Sequence, residues 1–345
     1  MPLAIPRPEL ERDLLREITA SPFLLLAGPR GCGKTTLLGR LARRWRGPTA
    51  LARLEPIACS PEVLHEELLR LATPVLASNS GRRPRAGAPL TALQAALRKR
   101  VSDSLLLLDD VTELRTLAYY PGVEQPLEGL IDVLTRSKAA SIATTRFTFW
   151  TRQHFPDLPI RTIPPLTADE LSAAGAVDAE LVVAVTGGMT VHAARLVDGD
   201  VESTLADELR RGGGIDSECR ATMAELLHRA RGYGACKWVL RVLAHEEGLT
   251  LTEVSRRLDR TPGSTRDYLR WLEEVDLIVS REKRYYYVDR ILRLWARIYG
   301  SGALVGDRDV RREVGAHIAA CGGSDVKVEG FTFPPVPSED LVEID

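Results

Sequence analysis

The sequence predicts an α/β protein: a parallel sheet covered by helices, then a small helical unit, then three helices and a hairpin. Three observations carry that prediction. Short apolar runs at residues 23–27, 49–54, 104–108 and 140–144 alternate with helical patterns as far as residue 163, as expected of parallel strands joined by crossover helices. A glycine-rich segment at 28–35 separates the first run from an amphipathic helix. Residues 233–300 then hold three helical stretches and two short strands around a charged turn.

Bulk properties narrow the class. A chain of 345 residues is too long for one ordinary core, so two or three domains are expected. With 44% hydrophobic and 27% charged residues the composition is that of a soluble globular protein. The net charge of −1 gives no global pull towards nucleic acid, so any basic surface has to be local. Cys32, Cys59, Cys219, Cys236 and Cys321 are scattered with no C-x-x-C pair, which argues against a zinc site or disulfide framework and for a reducing cytoplasm. Residues 1–20 are rich in Arg and Glu, unlike a signal peptide, and no apolar run approaches the roughly 20 residues of a membrane span.

Residues 28–35 read Gly-Pro-Arg-Gly-Cys-Gly-Lys-Thr, a complete G-x-x-x-x-G-K-T phosphate loop. Glycines let successive backbone N–H groups turn inward around phosphate oxygens, and the following helix N-terminus adds its positive end. Gly28, Pro29, Arg30, Gly31, Cys32, Gly33, Lys34, Thr35 and Thr36 are therefore the expected nucleotide-binding residues. Lys34 would reach the β- and γ-phosphates, and the Thr35 hydroxyl would bind Mg²⁺. Cys32 reads as a small filler or an oxidisable thiol within the loop.

The run Leu105-Leu106-Leu107-Leu108 ends in Asp109-Asp110, a buried strand delivering carboxylates to the phosphate side of the sheet. Asp109 is the expected second Mg²⁺ ligand, through its water shell. Asp110 is the expected base that orients or deprotonates the attacking water. The next run ends in Thr145-Arg146, where Arg146 could supply positive charge to the γ-phosphate. Lys34, Asp110 and Arg146 are thus the candidate catalytic set.

Beyond the sheet, residues 61–71 and 91–100 have helical spacing, and residues 77–89 form a basic segment full of turn residues. Thr167 with Glu170 makes a capping box for a helix after residue 166. Short helices separated by Gly187-Gly188 and Gly212-Gly213-Gly214 follow. A helix from Cys236, a second from Leu249, and a third from Pro262 with Thr261 as its cap lead to strands at 277–280 and 285–288. The third helix should turn Tyr268, Leu269 and Leu272 inward. One more helix is expected at 308–320, and the glycine, proline and acids beyond Gly322 suggest a poorly ordered or partner-binding tail.

The motifs G-x-x-G-x-G-K-T-T-L, L-L-L-D-D-V and A-T-T-R together resemble the nucleotide-binding domain of STAND-type ATPases. These are signal-transduction ATPases that include NB-ARC proteins and archaeal-type AAA relatives. The resemblance covers residues 5 to 300. It implies an α/β P-loop NTPase parallel sheet (1–165), a helical lid (166–232) and a winged helix-turn-helix (233–300), followed by a helix and acidic tail (301–345). It also implies adenine, hence ATP or ADP with Mg²⁺, and a nucleotide-driven switch with slow hydrolysis whose partner is a protein or a second copy of the chain. Residues 5–11 resemble the family's segment beside the adenine, with Arg7 and Leu10 as loose matches. The turn Val185-Thr186-Gly187-Gly188-Met189-Thr190 resembles the lid's glycine-rich turn, but lacks the proline that usually follows. Asp289 matches the aspartate of the family's Met-His-Asp motif, with Val288 in place of the histidine.

Arg256, Arg257, Arg260, Arg266, Arg270, Lys283 and Arg284 surround the third helix of the last unit and its hairpin, which suits DNA phosphates. Glu253, Asp259, Asp267, Glu273, Glu274 and Asp276 are interspersed with them, so packing against the nucleotide domain is the favoured role. An ATP-dependent DNA-binding protein resembling archaeal origin-recognition proteins is the alternative. A metabolic kinase is the weakest reading, because no second-substrate pocket is legible.

Overall fold

A computed structural model describes residues 5–77, 89–230, 233–302 and 304–322. The expected basic segment at 77–89 and the tail beyond Gly322 fall almost wholly outside the described residues. The chain opens with α1 (Pro8–Ala20), β1 (Phe23–Ala27), α2 (Lys34–Arg44), β2 (Thr49–Arg53), α3 (Pro61–Ala72) and α4 (Pro89–Leu97). Then come β3 (Leu105–Asp109), α5 (Pro126–Thr135), β4 (Ala140–Thr145), α6 (Thr148–His154) and β5 (Ile160–Thr162). The five strands form one parallel sheet in the order β2-β3-β4-β1-β5.

Alternation along these strands builds two apolar layers, because successive side chains of a strand point to opposite faces. Leu24, Leu26, Leu105, Leu107 and Ile142 face α1 and α2, meeting Leu14, Ile18, Leu38 and Leu41. Leu25, Leu106, Leu108 and Ala143 face the other side, towards Leu64, Leu68, Leu97 and Leu130. Both faces are covered, so β1, β3 and β4 are buried along their whole length, and their sequences read as continuous apolar runs. Each fully buried leucine contributes roughly 1.5–3 kcal/mol.

The fourth helix ends at Leu97, short of the expected Arg100. The Arg100 guanidinium is the physical reason: it is buried at the end of the sheet, donating to the carbonyls of Ala139 (2.7 Å) and Ala140 (3.1 Å). That reach draws the chain out of the helix.

The chain continues with α7 (Ala168–Ala173), α8 (Ala179–Thr186), α9 (Thr190–Ala193), α10 (Val201–Leu209) and α11 (Gly214–Arg229). The Thr167–Glu170 capping box is present, as the sequence predicts. Next come α12 (Tyr233–His245), β6 (Leu249–Thr250), α13 (Leu251–Leu258), α14 (Pro262–Glu274), β7 (Ile278–Arg281), β8 (Arg284–Tyr287), α15 (Arg290–Tyr299) and α16 (Asp307–Gly322).

Two expectations for this region change. Leu249 and Thr250 begin no helix; they pair with Tyr285 and Arg284 as a third antiparallel strand, and Thr250 then caps α13 through Glu253. Tyr268 is half-buried, while Leu269 and Leu272 are fully inward. The hairpin turn is Glu282-Lys283, both at positive φ (50° and 61°), the backbone of a tight two-residue hairpin. No helix among the described residues is long and apolar enough to cross a membrane.

The last unit packs on the sheet unit through a polar contact. Asp276, just beyond α14, accepts from the backbone N–H groups of Thr148 (2.6 Å) and Phe149 (3.1 Å), satisfying donors that open α6. Burial pushes its carboxyl up to about 7, against the pull of those amides. Burial also pushes the neighbouring Glu273 up to about 7. Between pH 4 and 7 the folded chain therefore keeps protons that the unfolded chain has released. Stability should fall as pH rises through that window, by up to about 1.4 kcal/mol per pH unit for each group, and level off above it. Denaturant melts across this range should show the slope, and Asp276→Asn should remove its own share and leave that of Glu273. An unchanged slope in the variant would contradict the assignment.

Candidate functional site

At the C-terminal end of the sheet the phosphate loop joins β1 to α2. Gly31 and Gly33 sit at φ 83° and 95°, conformations that glycine alone adopts without strain. Lys34 folds back under the loop, its buried Nζ donating to the carbonyls of Gly28 (2.8 Å) and Pro29 (3.0 Å). Cys32 is buried against Gly28. Burial pushes its thiol up, which disfavours a reactive thiolate.

One carboxylate organises the loop from below. Asp109 Oδ2 accepts from Thr35 Oγ1 (2.5 Å), and Oδ1 accepts from Thr144 Oγ1 (2.6 Å). Thr144 Oγ1 in turn accepts from the Asp110 N–H (2.8 Å). The start of α2 is thereby tied to β3 and β4. Asp110 itself turns at φ 56°, and its buried Oδ1 has no partner among the described residues. Burial raises its carboxyl above the ordinary range, offset in part by Lys34 and Arg146.

Thr35 and Asp109 offer hard oxygen donors side by side, which suits Mg²⁺, an ion that completes its shell with water and phosphate oxygens. Among the described residues no group of three or more His, Cys, Asp or Glu side chains could hold a metal alone. A cation here would need oxygens from a ligand.

The loop opens on a cleft of about 730 Å³ whose walls include Ile5, Arg7, Arg40, Ile163, Val191 and Arg146. Of the residues predicted for the site, Arg30 to Thr36, Asp110 and Arg146 line it, while Gly28, Pro29 and Asp109 do not; Asp109 reaches it only through Thr35. Arg7 fastens the N-terminal segment, donating to Glu170 Oε1 (2.8 Å) and to the carbonyls of Pro164 (2.7 Å) and Pro165 (3.0 Å). Arg146 lies 4% exposed and donates to Glu113 and Glu225. Burial works against its charge, but Asp110, Glu113 and Glu225 outweigh it. The expected γ-phosphate sensor is thus already engaged with carboxylates.

From above, α9 closes on the loop. The Val191 N–H donates to the Gly31 carbonyl (2.9 Å), and Thr190 Oγ1 donates to the Cys32 carbonyl (3.1 Å). A Cβ on Gly31 would lie 2.5 Å from Val191 Cγ1, so the close approach also requires glycine. The turn that lacks the expected proline still reaches the loop, through the two residues after Met189.

The next residue extends the connection. His192 Nε2 lies 2.8 Å from Asp289 Oδ2, while Asp289 Oδ1 accepts from the N–H groups of Ile291 (2.9 Å) and Leu292 (3.1 Å) at the start of α15. Burial pushes the Asp289 carboxyl up, but His192 and the two amides outweigh it and hold it below the usual range. An ionised Asp289 only accepts, so His192 Nε2 carries the proton. Sequence reasoning found Asp289 but missed His192, Glu113 and Glu225, whose partners are 97, 33 and 79 residues away. Their only local signal is a charged or imidazole side chain within a helical pattern.

Neither a protein-family model nor a curated protein matches the sequence. Among solved structures, the Walker-type ATPase PABY2304 of Pyrococcus abyssi superposes with a TM-score of 0.66 at 17% identity, over 86% of this chain and 96% of that one. The chain has a P-loop NTPase fold. Cdc6p of Pyrobaculum aerophilum (14% identity, 93% of this chain and 97% of that one) also aligns, at a TM-score of only 0.37. So does the STAND protein PH0952 of Pyrococcus horikoshii, which has a tetratricopeptide repeat sensor (13% identity, 94% and 47%, TM-score 0.37). Scores this low add nothing to the assignment of fold.

Proposed function

We propose that this chain is a nucleotide-driven switch that binds ATP and ADP with Mg²⁺ and hydrolyses ATP slowly. In this reading residues 1–165 form the nucleotide domain, 166–232 the lid and 233–300 a winged helix-turn-helix, with a protein or a second copy as partner. One observation carries it above all: the phosphate loop is hydrogen-bonded to α9, and α9 is joined through His192 to the cap of α15. A ligand that rearranged the loop would act on all three units. Slow turnover suits such a device, because its output depends on differential affinity between two states.

The residues present divide the work. Backbone N–H groups of residues 31–35 and the Lys34 ammonium, released from its two carbonyls, bind phosphate oxygens. Thr35 and Asp109 hold Mg²⁺, which when bound neutralises phosphate charge. Asp110 accepts a proton from water: its unpartnered oxygen lies beside the loop, and burial raises its basicity. Ile5 and Ile163 offer apolar surface to a base.

Lys34→Ala should weaken nucleotide binding by about 100-fold, measured by calorimetry with MgADP. Asp110→Asn should leave binding within about threefold and cut phosphate release about 100-fold. Unchanged affinity in the first variant, or persistent turnover in the second, would overturn the corresponding role.

A second reading has its own observation. Arg256, Arg260 and Arg266 are exposed and make no ion pair with any described residue, as free phosphate-binding side chains would. If the last unit binds duplex DNA, Arg266→Glu should weaken binding and flatten its salt dependence. Absent or salt-insensitive binding would remove that reading.

A further inference from the structure

We infer that Glu225 of α11 sets the preference of the cleft between nucleoside triphosphate and diphosphate. It does so by holding the two arginines best placed to take the terminal phosphoryl group. The inference rests on the nucleotide reading above and adds the residue that discriminates between the two ligands.

The geometry is that of one anion shared by two guanidinium groups. Glu225 Oε2 accepts from Arg30 Nη1, and Oε1 accepts from Arg146 Nη1. Arg30 of the phosphate loop and Arg146 after β4 line the cleft with Lys34 and Asp110, and Glu225, just outside that lining, holds both arginines at once. Each arginine also has a second anion: Glu218 lies 3.4 Å from Arg30 Nε, and Glu113 accepts from Arg146 Nη2. Glu55 and Arg229 complete the charged surroundings.

A phosphoryl group also presents two or more oxygens to a pair of arginines, and does so with more charge than a carboxylate. Glu225 therefore occupies guanidinium donors that a terminal phosphoryl group in the cleft would use. The loop amides and Lys34 serve phosphates that both nucleotides possess. A triphosphate whose terminal group takes the Nη1 groups of Arg30 and Arg146 competes with the Glu225 carboxylate for those same donors. A diphosphate leaves the bridge in place. Triphosphate binding then releases the Glu225 contacts of α11 with both arginines, leaving Glu218 and Arg229 as its remaining ion pairs there, which ties the discrimination to a loosening of the lid helices.

A merely structural tether would change affinity for both nucleotides alike, so the ratio of dissociation constants is the readout. Wild type, Glu225→Gln and Glu218→Gln would be titrated by calorimetry with MgADP and with a non-hydrolysable Mg²⁺–triphosphate analogue. Glu225→Gln should shift the ratio towards triphosphate by about five- to tenfold, and Glu218→Gln by less than about twofold. Glu225→Asp, too short to bridge both arginines, should shift it the same way and serves if the glutamine variant does not fold. An unchanged ratio in a folded variant that still binds MgADP overturns the role of Glu225. Failure of wild type to bind MgADP overturns the nucleotide reading itself, and this inference with it.

Discussion

The contact on which the rest of this structure depends is the pair of hydrogen bonds from α9 to the carbonyls of Gly31 and Cys32. A phosphate loop uses its N–H groups for ligand, so its carbonyls are left to be satisfied from elsewhere. Here Lys34 satisfies those of Gly28 and Pro29, and a later helix those of Gly31 and Cys32. The loop consequently lies between two fixed supports, Asp109 below and α9 above. Any change in loop conformation has to move, strain or release one of them. Because α9 is only four residues long, its position is set by its contacts at either end and not by its own stability.

The joints between distant elements are largely polar and buried. Arg146 with Glu113 and Glu225, His192 with Asp289, and Asp276 at the start of α6 all bridge elements far apart in sequence. Buried charge is a poor source of net stability, since desolvation offsets much of the attraction, yet breaking one partner away leaves a large penalty. Interfaces of this kind respond to added charge, whether a proton or a phosphate. The sheet itself is different: its layers of leucine and isoleucine have no reason to change with ligand. The molecule thus combines a rigid apolar platform with polar joints.

Much of the platform was legible in the sequence because its signals are contiguous. The loop at 28–35 and the run ending in Asp109-Asp110 each carry their chemistry within a few residues, and the strands they define bury both faces. The capping box at Thr167 and the Thr261-Pro262 helix start are equally local. Where the reading slipped, a tertiary contact decided the local structure: Arg100 left its helix for sheet carbonyls, and Leu249-Thr250 became a strand because Arg284 and Tyr285 lay beside them. The joints were the least legible part. Nothing within ten residues of His192, Glu225 or Asp276 marks its partner, since each pairing exists only once the chain has folded.

Coupling between the loop and α15 is what amide hydrogen exchange measures most directly. Wild type and His192→Ala would be compared with and without MgADP. Nucleotide should alter exchange in residues 28–36 of both proteins, but at the start of α15 in wild type only. An α15 response of equal size in the variant, or none in wild type despite a response in the loop, would contradict that coupling.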